Sequence, residues 1–364
     1  MTRLECHGLV ASQPFRVGFV LLEKFTLIAL ASAIEPLRMA NQLRQKQLYQ
    51  WDLLSETGGS VNASGGIQMM PDKALDQAED YDLILVVAGV DVRQHSSLKV
   101  LDFLKVRSHS LNLLGGLCTG PLVLAQAGLL DGYSCSAHWE CLAALQEEHP
   151  RVYCNNNLFT FDRNRITCTG GDVSLHMMLH LVGNHHGAGL ANEISDMFVC
   201  DRIRESQEPQ RLRMQKHVFA NQPKLANAVE LMEANIEEPI EVSEVAAYSG
   251  ISRRQLERLF LNFLGTTPSR FYLKVRLERA QQLLRQTTCS IVDIASMCGF
   301  DSTTHFTRTY RKYMSRAPKT ERVLSEAPGA NLVFTEEAAG LVPEAVAMSG
   351  LATVADSASD LSKH

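Results

Sequence analysis

Apolar residues in the first 200 positions gather in short unbroken runs separated by amphipathic stretches. Phe15-Arg16-Val17-Gly18-Phe19-Val20-Leu21-Leu22 reads as a buried strand, and a helical pattern follows from Leu27 to Leu43. A second strand is expected over Tyr49 to Ser55, with Gly58-Gly59 and Gly65-Gly66 marking turns after it. Tyr81 to Gly89 is a continuous apolar strand ending on glycine, Leu98 to Ser108 is patterned as a helix, and Leu111 to Gly116 is another strand. Strands that are apolar throughout and alternate with helices predict a mainly parallel sheet covered on both faces, a three-layer α/β domain.

The pattern changes after Glu205-Ser206-Gln207-Glu208-Pro209-Gln210, which is polar and ends the first domain. From Leu225 the strand signals vanish and helices dominate, so an all-α domain follows. The expected boundaries are an extension over 1–14, a sensor domain over 15–205, a linker over 206–222 and a helical domain over 223–324. The final 325–364, rich in Ala, Gly, Ser, Glu and Pro, reads as a disordered tail. A chain of 364 residues exceeds one ordinary core, which agrees with two domains.

Charge sharpens this division. The whole chain carries −5, but Gln210 to Val323 holds 18 Lys/Arg against 11 Asp/Glu, a net +7 set against −12 elsewhere. Positive charge gathered in one segment suits a polyanion. The nine cysteines (6, 118, 135, 141, 154, 168, 200, 289 and 298) contain no Cys-x-x-Cys pair, so reduced thiols are expected rather than a disulfide framework or zinc ribbon. Neither a signal peptide nor a bilayer-spanning run is evident, and a cytoplasmic protein away from the membrane is expected.

The helical domain contains an internal repeat. Val242-Ser243-Glu244-Val245-Ala246-Ala247-Tyr248-Ser249-Gly250-Ile251-Ser252 matches Ile291-Val292-Asp293-Ile294-Ala295-Ser296-Met297-Cys298-Gly299-Phe300-Asp301. Ala246 and Ala295 are small where two helices must cross, and Gly250 and Gly299 supply a left-handed turn. Ile251 and Phe300 plug each corner, with Ser252 and Asp301 expected to cap the helix that follows. Leu256 with Phe260, and Phe306 with Tyr310, then face the core. These are two helix-turn-helix units, joined by an amphipathic helix from Ser269 to Gln286. Recognition helices held this way can enter major-groove segments roughly 34 Å apart. Arg253, Arg254, Gln255 and Arg258 on the first face outward and suit bases or phosphate, whereas Ser302, Thr303, Thr304 and Arg308 on the second are smaller and suit the backbone.

Leu225 to Arg322, including Gly299-Phe300-Asp301-Ser302 and His305-Phe306, resembles the AraC/XylS family of regulators. The resemblance implies seven helices, binding to double-stranded promoter DNA and activation of transcription with RNA polymerase as partner. Ser315 stands where the first copy of the trailing Gly-x-x-Pro has Gly265.

In the sensor, Leu113-Leu114-Gly115-Gly116-Leu117-Cys118-Thr119-Gly120-Pro121 reads as a strand, a sharp turn and a helix, with Cys118 at the elbow. Such an elbow lies at the carboxyl end of the sheet, where α/β domains bind ligands, and the Thr119 and Gly120 amides could hold a carboxylate. His138 and Trp139 lie downstream. This segment, with Gly128-Leu129-Leu130-Asp131-Gly132, is similar to the class I glutamine-amidotransferase-like (PfpI-like) domain of GlxA-type regulators, over Phe15 to Arg204. The resemblance implies a flavodoxin-like fold. In its enzyme branches the elbow cysteine is a nucleophile paired with a histidine and an acidic group, and Cys118 and His138 match the first two roles. Thr26-Leu27-Ile28-Ala29 offers no carboxylate, while Glu23 and Glu35 flank it, so the chain reads as a binding protein and not an enzyme.

Within that family the chain looks most like regulators of quaternary-amine catabolism responding to glycine betaine or dimethylglycine, with arginine and carnitine as rival effectors. Cys118, Thr119, Gly120, His138 and Trp139 are the candidate pocket, Trp139 supplying an aromatic face for a methylated cation. Trp51, Phe19 and Tyr133 are alternative walls. His176 and His180 share a helix face at metal-binding spacing, near His185 and His186, but no third ligand is evident and helix packing is expected, without metal or cofactor. A homodimer is expected to suit paired half-sites. The rival readings are a residual Cys-dependent amidase fused to a DNA module and a purely architectural DNA-binding protein.

Overall fold

A computed structural model describes residues 13–109, 113–208, 210 and 222–326. The expected extension and tail lie outside these residues, except for 13–14 and 325–326. The described residues fall into two compact units, 13–210 grouped with Arg285–Thr288, and 222–284 with 289–326.

The first unit is built on a seven-stranded sheet. Its strands are β1 (Phe15–Leu21), β2 (Tyr49–Ser55), β5 (Lys73–Ala74), β6 (Leu83–Val87), β7 (Leu113–Leu117), β10 (Phe159–Asp162) and β11 (Arg165–Cys168). They lie in the order β10-β11-β7-β6-β1-β2-β5, parallel throughout except for the β10–β11 hairpin at one edge. Two small ribbons, β3 (Val61–Asn62) with β4 (Gln68–Met69) and β8 (Ser134–Cys135) with β9 (Tyr153–Cys154), stand apart from it.

Strand side chains alternate between faces, and this partitions the core. Val17, Phe19 and Leu21 of β1 join Leu83, Leu85 and Val87 of β6 in one buried cluster, packed with α1 (Leu27–Arg44), α5 (Val173–His186) and α6 (Ala188–Met197). Val20, Ile84, Val86 and Leu114 form the other, beside α2 (Leu98–Ser108), α3 (Gly120–Gln126) and α4 (Trp139–Glu148). The three-layer flavodoxin-like reading is therefore the observed architecture.

The second unit contains seven helices among the described residues: α7 (Pro223–Ala234), α8 (Val242–Tyr248), α9 (Arg253–Leu264), α10 (Pro268–Gln286), α11 (Ile291–Met297), α12 (Thr303–Met314) and α13 (Pro318–Glu326). Leu225, Met232, Val245, Leu256 and Phe260 close one core around α7 to α9, and Phe300, Phe306 and Tyr310 meet edge-on and tilted in series around α12.

Candidate DNA interface and ligand site

Both helix pairs turn their corners by the same hydrogen bonds. Ile251 N donates to Ala246 O at 3.0 Å and Gly250 N to Ala247 O at 2.9 Å; Phe300 N donates to Ala295 O at 2.9 Å and Gly299 N to Ser296 O at 2.8 Å. Gly250 and Gly299 have φ of +65° and +72°, the conformation read from the sequence. At Gly299 a Cβ would also lie 2.4 Å from Pro239 Cγ, so that corner packs too closely for any side chain.

The first recognition helix, α9, begins with a capping box. Ser252 Oγ accepts from the Gln255 amide at 3.3 Å, and Gln255 Oε1 accepts from the Ser252 amide at 2.9 Å. Gln255 is exposed as expected, yet its carbonyl oxygen serves the cap. Arg253, Arg254 and Arg258 are exposed, with Arg253 Nε 3.1 Å from Glu257 Oε1. In α12 the cap is Ser302, which accepts from the His305 amide at 3.4 Å. This corrects the expectation for Asp301 and gives Ser302 a structural duty besides the predicted DNA contact. Thr303, Thr304, Thr307, Arg308, Arg311 and Lys312 line a shallow groove along this helix.

One half-buried cation was missed. Arg276 of α10 donates through Nε to Cys298 O at 2.8 Å and through Nη2 to Gly299 O, and its guanidinium lies 4.4 Å from the Phe300 ring centroid. It thereby satisfies orphan carbonyls at the end of α11 and ties the central helix to the second corner. Burial pushes its pKa down, the cost of keeping this charge away from water. It is one of four arginines in this helix, with Arg270, Arg279 and Arg285, and the sequence alone does not say which of them reaches the corner.

In the first unit, Cys118 sits at the elbow with φ +60°, a left-handed backbone that a non-glycine residue rarely adopts. Only 7% of the residue is exposed. Gly170, at φ +87°, makes room for it: a Cβ there would stand 2.6 Å from Cys118 Cβ. The thiol is held by the Thr26 hydroxyl, which donates to Sγ at 3.4 Å. Glu23 instead accepts from Asn62, and Glu35 pairs with Arg38. Burial pushes the Cys118 pKa up, Glu140 adds to the rise, and the Thr26 and Thr119 bonds offset it in part.

The other pocket residues converge through backbone. His138 N donates to Cys118 O at 3.0 Å, while His138 Nδ1 caps α4 by accepting from the Glu140 amide at 3.4 Å. Trp139 is half-buried, with its ring 5.4 Å from that of His138. Thr119 is buried and its hydroxyl donates to Gly89 O at 2.8 Å; Gly120 is buried at the start of α3. Two alternative walls are committed elsewhere: Phe19 is wholly buried in the core, and Tyr133 has the Arg163 guanidinium 3.7 Å and that of Arg165 4.8 Å from its ring centroid. Trp51 packs partly buried against the core on the α1 side.

Residues 245–322 match a helix-turn-helix domain family and 16–184 match the DJ-1/PfpI family. The chain is 52% identical over 309 residues to the HTH-type transcriptional regulator GbdR of Pseudomonas aeruginosa, covering 85% of this chain and 84% of that one. This chain is an AraC-type transcriptional regulator of the DJ-1/PfpI-containing family. Two further regulators from the same organism align with similar completeness. CdhR is 40% identical, over 84% of this chain and 91% of its own, and ArgR is 38% identical, over 86% and 94%. These AraC-type regulators align across both units, so sensor and DNA domain are matched as one architecture. Among the described residues of this regulator no group of three or more His, Cys, Asp or Glu could hold a metal, and no helix is long and apolar enough to cross a membrane.

Proposed function

We propose that the regulator binds a small amine carboxylate of the glycine betaine or dimethylglycine type beside Cys118 and, so occupied, activates genes of quaternary-amine catabolism. The observation that carries binding over turnover is the partner of the thiol. Among the described residues Cys118 meets a hydroxyl at Sγ, and burial raises its pKa by more than the Thr26 and Thr119 bonds lower it, which disfavours the thiolate that a nucleophilic mechanism requires. Two neighbouring groups suit a methylated cation: the half-buried Trp139 ring and the Glu140 carboxylate that follows it. Arg253, Arg254, Arg258 and Arg308 supply phosphate and base contacts on the two recognition helices, with Thr303 and Thr304 on the backbone. The working form is a cytoplasmic homodimer that recruits RNA polymerase, and light scattering of the purified protein checks the dimer.

Thermal-shift measurement on the full-length chain with glycine betaine, dimethylglycine, carnitine and arginine tests the ligand class. At a hundredfold excess over Kd the true ligand stabilises by about 2.7 kcal/mol. Silence from all four rejects the class. Cys118→Ala is expected to retain ligand-dependent promoter activation, whereas an amide hydrolysis lost in that variant would establish an enzyme instead.

A further inference from the structure

The first unit ends in a strap, 204–208 with Gln210, bonded to the loops around the elbow. Two histidines one turn apart on α5 grip its main chain. His176 Nδ1 accepts from the Arg204 amide at 3.3 Å, and His180 Nε2 meets the Arg204 carbonyl at 3.1 Å. The i, i+4 pair that resembled half a metal site thus holds one residue of backbone. Leu158 N donates to Ser206 O at 2.8 Å. Glu208 accepts from both Arg202 Nη atoms at 2.5 and 2.8 Å and from the Glu205 amide at 2.9 Å, which closes the strap into a turn. Beyond it, Gln210 Nε2 donates to Ala137 O at 3.0 Å and to Asn157 O at 3.4 Å.

These anchors are the walls of the elbow. Ala137 immediately precedes His138, whose amide is bonded to Cys118 O. Arg204 Nη1 lies 4.0 Å from Asp172, which follows the Gly170-Gly171 turn set against Cys118. A molecule entering beside Cys118 and moving either loop moves an anchor of the strap. The docking is also incomplete, because Gln210 Oε1 and Arg204 Nη2 are buried with no hydrogen-bond partner among the described residues. Unmet buried polar groups weaken the docked form.

We infer that this strap transmits the signal: docking of Arg204 and Gln210 and closure of the loops around Cys118 are one coupled event. The inference rests on the reading of the elbow as the effector site. Coupling is reciprocal, so a change in the strap must also be felt at the thiol, even without ligand.

Gln210→Ala and His176→Phe, each in the full-length protein and each removing one side-chain bond to the strap or its continuation, test this through peptide-resolved alkylation with iodoacetamide. Loss of a hydrogen bond of ordinary net strength is expected to speed alkylation of Cys118 roughly three- to tenfold. The other buried thiols of the unit, Cys135, Cys141 and Cys168, should keep their rates. An unchanged Cys118 rate overturns the inference, and so does equal acceleration at all four thiols, which reports a loosened domain. If Cys118 responds while none of the four metabolites binds, the coupling stands and the effector reading falls. If a metabolite binds while Cys118 is unmoved in both variants, the coupling falls and the effector reading stands.

Discussion

Ser315 ends α12 with φ +56°, the backbone that Gly265 adopts at +62° after α9. A side chain in this region costs on the order of 1 kcal/mol, which glycine avoids. Ser315→Gly is therefore expected to stabilise the helical unit by about 0.5–1 kcal/mol, read as a higher melting temperature with unchanged DNA affinity. A second single-residue effect concerns His185, whose Nδ1 is 3.0 Å from the Tyr49 hydroxyl and whose Nε2 is buried without a hydrogen-bond partner among the described residues. Burial, assisted by His186, holds its pKa down to about 4. The unfolded chain takes up this proton near 6.5 while the folded one does not, so stability is complete above that pH and is lost as pH falls toward 4, by up to about 3 kcal/mol. His185→Phe, beside the Phe15 ring, should flatten the fall in melting temperature between pH 7 and pH 5; an equal fall in both proteins refutes it. Residue chemistry of this kind was only partly legible in the sequence. The glycine corners and the cysteine elbow announced themselves, because a backbone demand selects one residue type. The Thr26 hydroxyl facing Cys118 across 92 positions did not, since only the sheet brings them together.

Among the elements, the long apolar strands and helices were readable and the short ones were not. β5 spans two residues and β11 four, too few for a period to declare itself, although Phe159-Thr160-Phe161-Asp162 alternates as an edge strand should. The two corners were legible because they repeat. Their fixing to α10 was not, and Arg276 allows that fixing to be separated from DNA contact. Arg276→Ala removes charge-assisted bonds to two carbonyls and a cation–π contact, and should destabilise the helical unit by about 2–3 kcal/mol. DNA affinity should fall while its logarithmic salt dependence stays unchanged, because no phosphate contact is lost. Arg258→Ala should do the opposite, lowering that slope by about one with the melting temperature held. Identical salt slopes in both variants would refute this division of labour.

Across the whole molecule, the order of units follows from where charge and periodicity change, but the strap over 204–208 does not. Its polar composition read as the end of the first domain passing into a linker from 206, and the histidines, carbonyls and amides that hold it come from distant segments. In the helical unit, α10 runs for 19 residues, about 28 Å at the usual helical rise, between the two helix pairs. Inserting about five base pairs between the two contacted segments turns the second onto the opposite side of the duplex. Affinity measured by fluorescence anisotropy should then drop to that of a site keeping the first segment alone, and an unchanged affinity rejects the rigid connection. The two pairs share a corner but differ in what they present: α9 shows Arg253, Arg254 and Arg258, and α12 sets three threonines beside Arg308, Arg311 and Lys312. A single chain laid on a duplex therefore has a front and a back. On the proposed contacts the two segments read by one chain are not interchangeable, and exchanging their order is expected to weaken binding.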